Sequence, residues 1–237
     1  MTRKQMEQST SPYSALKLAS HARQFVTLIN RDLEQEMRSL VDDGTIRPAD
    51  VCNLLMTHSG VKPTFLIVQP TMEGCKDLLA SVRATSGHDL HIEIHIDPDT
   101  KQCYFIGCRS QEKKAVIQAL TEQSCVRLPD STVASLILPS AFYHRQLGVF
   151  LDVPDCCLVE RAVMPDEADS IFREMKEGVD SGRLSSDVHY SPHLPCSCGC
   201  KETFSVGKSY RGFIETHFPD YAELFHQERH KKPLYLY

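Results

Sequence analysis

No stretch of this 237-residue chain approaches the roughly 18 consecutive apolar residues of a membrane helix, which excludes a helical span. Positive charge is not in excess. Lys and Arg number 26 against 31 Asp and Glu, a formal net charge of −5, so nucleic-acid binding by bulk electrostatics is excluded. The opening Met1-Thr2-Arg3-Lys4-Gln5-Met6-Glu7-Gln8 has no apolar core and no small-residue cleavage site, which argues against the general secretory route. A polar leader of this kind also suits a specialised bacterial secretion apparatus delivering into a host cell, and that route stays open.

Several catalytic signatures are missing as well. There is no Gly-x-Ser-x-Gly, no dinucleotide fingerprint and no repeat at solenoid periods. Gly207-Lys208-Ser209 resembles the end of a phosphate loop, but Glu202 stands where that loop needs its first glycine. The zinc-deaminase pattern is half present. His91-Ile92-Glu93 exists, yet Pro195-Cys196 is followed by Gly199 where the second cysteine belongs.

What remains is an ordinary globular composition, 41% apolar and 24% charged. The length suits one large domain with an appendage, and the core needs no disulfides. The ten cysteines therefore predict free or metal-bound thiols in a reducing, cytoplasmic setting, several of them buried as small hydrophobes.

Apolar residues recur at helical spacing over 14–43, from Leu16 through Leu33, Met37 and Leu40, and Gly44 supplies a natural stop. A short helix starts at Pro48 and is closed by Gly60. Residues 64–68 read as a buried strand, 71–83 as a helix, and 89–97 with 102–108 as a hairpin. A helix at 111–123, strands at 132–138 and 146–153, and a helix at 165–177 follow. This order predicts an α+β fold, a mixed sheet with helices packed on it. Residues 1–12 read as a disordered tail, 13–178 as the core domain, and 179–237 as a Cys/His-rich segment packed on it. That last segment holds a helical stretch over 208–231, broken at Phe218-Pro219.

Three places can carry chemistry. Cys196-Ser197-Cys198-Gly199-Cys200 presents three soft thiolates in a polar loop flanked by His189 and His193, with spacing tighter than that of common zinc fingers. Downstream, His226 and His230 stand four apart on one helix face, where they can share a metal or simply complement the helix dipole. Together, Cys196, Cys198, Cys200, His226 and His230 predict a structural zinc site. Second, His91, Glu93, His95 and Asp97 alternate along one face of a strand, offering a general base or metal ligands, or merely a wetted face. With Cys108 alongside, His91, Glu93 and His95 form the catalytic candidate. Third, Cys156-Cys157, Cys103, Cys108 and Cys125 are candidate nucleophiles, most of them read as packing cysteines.

The element order resembles that of the YopJ family of bacterial effector acetyltransferases, over about residues 30–215. The resemblance rests on His91 in Leu90-His91-Ile92-Glu93-Ile94, on Leu128-Pro129-Asp130, and on Leu147-Gly148-Val149-Phe150 where the family has Cys-Gly-Ile-Phe. It implies a cysteine-protease-like fold. Because Leu147 replaces the nucleophile and Cys108 the acid, it also implies a diverged or inactive relative. The leading expectation is a zinc-stabilised α+β protein that acts through a protein partner. The alternative is an enzyme using the His91/Glu93/His95 face.

Overall fold

The computed structural model describes residues 31–231 apart from 70, 87–88, 139–140, 159–167, 192 and 194. The expected tail at 1–12 and the first half of the helix read over 14–43 lie outside those residues. The remainder of that helix is α1, Arg31–Asp42, with Leu33 and Met37 fully buried, as its spacing requires. Gly44 follows at φ 72°. Next is α2, Pro48–His58, with proline in its first turn and Gly60 at φ 78° beyond its end.

The order continues with β1 (Thr64–Gln69), α3 (Met72–Ser86), β2 (His91–Ile96), β3 (Cys103–Cys108), α4 (Gln111–Ser124), β4 (Cys125–Arg127) and β5 (Ala134–Ile137). Then come α5 (Ala141–Phe150), α6 (Ala168–Asp180), a 3₁₀ turn (Ser186–Tyr190), α7 (Lys201–His217) and α8 (Pro219–Lys231). The fold is α+β, as the element order predicts. Within the β2–β3 hairpin, Asp97 is a turn residue rather than a member of the strand. Burial, the largest single effect, raises its carboxyl, but its hydrogen bonds outweigh it and hold the group below the usual range; among them Oδ1 accepts from the Asp99 and Thr100 amides at 2.9 and 3.3 Å.

Residues 146–153, read from sequence as a strand, belong instead to α5 and the turn after it. Tyr143, Leu147 and Phe150 fall at helical spacing and all are buried, so the period is 3.6 rather than 2. Lys113 closes that helix by donating to the carbonyls of Val149 and Phe150 and pairing with Asp152.

The sheet order is β1-β3-β2-β5-β4, antiparallel except for the β2–β5 pair. Both faces are covered. Phe65, Ile67, Ile92, Ile94, Cys103 and Phe105 join Leu33, Leu54, Leu78, Phe213 and Tyr221 in the larger core, which places α1–α3 and the two C-terminal helices on that side. On the other face, Leu66, Tyr104 and Ile106 meet Ile117 and Leu120 of α4 and Tyr143 and Leu147 of α5. The segment after 178 thus contributes directly to the main core. Its close seating depends on Gly207 of α7, where a Cβ would stand 2.0 Å from the Asp187 carbonyl oxygen in the 3₁₀ turn.

Candidate metal centre

Two separated pieces of chain converge on one cluster of sulfur. Helical residues 155–158, after Pro154, offer Cys156 and Cys157. The turn at 196–199 offers Cys196 and leads into Cys200, the N-cap residue of α7. The four sulfurs lie within 4.8 Å of one another, close enough to hold one metal ion. Cys156 is exposed, Cys196 half-buried, and Cys157 and Cys200 buried. The Sγ–Sγ separations are 3.8 Å for Cys156–Cys157, 3.8 Å for Cys156–Cys200 and 3.7 Å for Cys157–Cys200.

The electrostatics separate the four. Burial pushes the Cys157 thiol up, and it pushes Cys156 up to about 11, helped by the neighbouring Cys200. Burial also acts upward on Cys200, but hydrogen bonds from Thr203, Cys157 and Cys196 outweigh it and leave that thiol below its ordinary range. Its place at a helix N-terminus favours a thiolate in the same sense. Thr203 Oγ1 stands 3.6 Å from Cys157 Sγ and 3.0 Å from His193 Nε2.

This set differs from the one read off the sequence. Cys196 and Cys200 are in it. Cys198 is not: it packs beside Phe204 against Met175 and Val188. A step of two residues turns Cys198 away from the side that Cys196 and Cys200 share. His226 and His230 are positions of α8, but their side chains lie outside the described residues. His193 sits behind the cluster rather than in it, and His189 is buried in the 3₁₀ turn. Cys156 and Cys157, read as nucleophile or packing cysteines, are the members that sequence reasoning passed over. The only sequence signal for them was a vicinal pair some 40 residues before the loop.

The strand candidates are placed differently. The polar face of β2 is not wetted, because it lies under α4 and α5. His95 is fully buried, with Nδ1 at 2.8 Å from Tyr143 Oη and Nε2 at 2.9 Å from Thr121 Oγ1. Thr121 spends its own proton on the Ile117 carbonyl at 2.8 Å, so His95 Nε2 carries the donated proton and Nδ1 accepts from the tyrosine. Burial drives this imidazole down to about 4. Glu93 is buried too. Burial raises its carboxyl, and His91 and Arg127 pull it below the usual range on balance. Arg127 donates to Glu93 at 2.7 and 3.3 Å.

Cys108 lies opposite His91 in the β2–β3 register, is fully buried, and is pushed up to about 11 by burial. Of these candidates His91 lines a pocket of about 120 Å³, shared with Arg109, Ser110 and Lys114. That volume is well below the roughly 300 Å³ at which small-molecule sites begin. Leu147 is buried on α5.

Comparison with protein-family models, curated proteins and solved structures finds no match for this chain. Among the described residues, no helix is long and apolar enough to cross a membrane.

Proposed function

We propose that Cys156, Cys157, Cys196 and Cys200 bind one zinc ion that ties the turn at 155–158 to the start of α7, and that the protein acts as a zinc-stabilised interaction module. One observation carries this reading. A tetrahedral ion with zinc–sulfur bonds of about 2.3 Å sets its sulfurs about 3.8 Å apart, the bond length multiplied by about 1.63. The three separations of 3.8, 3.8 and 3.7 Å match that edge. Soft thiolates select zinc or iron over hard cations. Four protein ligands leave no open coordination position, which favours a structural ion over a catalytic one. The burial of Glu93, His95 and Cys108 supports the same preference. A reactive thiol needs exposure and a nearby base, and Cys108 lacks the exposure.

Metal analysis of untagged protein purified without chelators tests the reading. It should give about one zinc per chain, with no visible absorption of the kind a ferric tetrathiolate shows. Cys157→Ser and Cys200→Ser should lose most of the metal, and Cys198→Ser should keep it. Wild-type protein that carries no zinc and takes none up overturns the proposal. So does a Cys198→Ser variant that loses zinc as completely as Cys157→Ser.

A further inference from the structure

We infer that Thr203, held in place by His193, donates its hydroxyl proton to the thiolates of the Cys156/Cys157/Cys196/Cys200 centre and sets how tightly that centre keeps its metal. This rests on the metal reading above and concerns residues outside the ligand set.

Thr203 occupies the third position of α7, one turn past Cys200, and none of its surface is exposed. A threonine sealed at that position must spend its hydroxyl on something nearby. Its oxygen has an imidazole nitrogen 3.0 Å to one side and a sulfur 3.6 Å to the other. A hydroxyl has one proton to give and two lone pairs to receive with. If the histidine takes the proton, the thiolate faces bare lone pairs. If the histidine gives one, the threonine proton is free for sulfur.

A metal-bound thiolate only accepts, which favours the second arrangement. His193 is buried, and the hydroxyl of the fully buried Ser191 lies 3.2 Å from its Nδ1 and 3.1 Å from its backbone carbonyl oxygen, two acceptors for one proton. With the threonine proton on sulfur, Nε2 of the neutral ring carries its proton towards Thr203, and Nδ1 takes the Ser191 proton in preference to the carbonyl. The chain then runs in one direction: Ser191 O–H to His193 Nδ1, His193 Nε2–H to Thr203 Oγ1, Thr203 O–H to sulfur.

Four thiolates around a divalent cation carry a net charge of −2. That charge needs donors, especially with Cys157 and Cys200 buried. A hydrogen bond to a metal-bound sulfur drains charge from it and fixes its direction, the usual work of groups just outside a coordination sphere. His193 is a positioning residue here, acting only through Thr203.

The test compares zinc affinity, by competition with a chromophoric chelator, in the wild type, Thr203→Val, Thr203→Ser and His193→Phe. Removing an outer-shell partner commonly costs about 10–100-fold in affinity. Thr203→Val keeps the shape and loses the hydroxyl, so zinc should bind about 10–100-fold more weakly. Thr203→Ser should restore binding to within about threefold of wild type, and His193→Phe should resemble the valine variant. Cobalt(II)-loaded Thr203→Val should keep the intensity of a four-sulfur site while its sulfur-to-cobalt absorption shifts in energy.

Three results overturn the inference: a valine variant that binds as tightly as wild type, a serine variant as weak as the valine, or a cobalt spectrum that reports a lost sulfur. Wild-type protein that binds neither zinc nor cobalt would instead overturn the metal reading beneath it. Melting of the metal-free variants separates a general loss of fold from a loss of affinity. Without metal, Thr203→Val and His193→Phe should melt a few degrees below wild type, because each strands a buried polar group, and a valine variant already unfolded in that state counts against the inference.

Discussion

His95 shows how completely burial can reassign a residue. On an alternating strand it offers a base; beneath α4 and α5 it becomes a neutral connector between Thr121 and Tyr143. Its folded value near 4 lies below the 6.5 expected of an unfolded chain, so between those values the unfolded chain holds one more proton. The contribution to stability is therefore complete above about pH 6.5 and is lost as pH falls towards 4, amounting to roughly 3 kcal/mol. His95→Leu should remove that share of the acid sensitivity. It should also cost about 1–3 kcal/mol at neutral pH, because the two buried hydrogen bonds that His95 makes to Tyr143 and Thr121 are lost. Denaturant titrations at several pH values check both, and an unchanged slope between pH 6.5 and 4 would count against the assignment. The alternation of His91, Glu93 and His95 was legible in the sequence. What covers that face was not, because α4 and α5 come later in the chain and residues of α5 were read at the wrong period.

At the level of elements, α7 carries two obligations. Its N-terminus supplies Cys200 and Thr203 to the sulfur cluster, and its middle lies against the 3₁₀ turn at Gly207. Glycine in a helix normally costs about 1 kcal/mol relative to alanine, so Gly→Ala usually stabilises. Here the added Cβ would meet the Asp187 carbonyl at 2.0 Å, and backbone cannot yield as a side chain can. Gly207→Ala should therefore destabilise, by about 2 kcal/mol or more, and lower the melting temperature. A rise in Tm would show that the helix and turn are not seated this closely. The helix itself was partly legible: residues 208–231 read as helical with a break at Phe218-Pro219, and the structure starts α7 earlier, at Lys201. The cysteine loop was legible as chemistry but not as geometry. Cys-x-Cys-x-Cys marked the place, and only the folded turn shows that its outer cysteines face the cluster while Cys198 packs against the small core of Met175 and Val188.

For the whole molecule, the consequence of the sulfur cluster is topological. It links the chain just after α5 to the start of α7, across a segment in which Met175 and Val188 form a small core of their own and Tyr190 joins the main one. An ion that binds only the folded chain stabilises it by mass action, about 4 kcal/mol when zinc stands at a thousand times its dissociation constant. For a chain of this size that is about 8–16 °C in Tm, which a chelator should remove and added zinc restore. An unchanged Tm in excess chelator, with metal analysis confirming removal, would deny the ion a structural role. By itself the sequence determined the fold class, most element boundaries, the absence of a long apolar helix and the presence of a thiol-rich loop, since these follow from local periodicity and composition. Tertiary structure alone decided which thiols meet. Cys156 and Cys157 are joined to Cys196 and Cys200 by the packing of a turn against a helix N-terminus some 40 residues away, and no local pattern records a contact between segments so far apart in the chain.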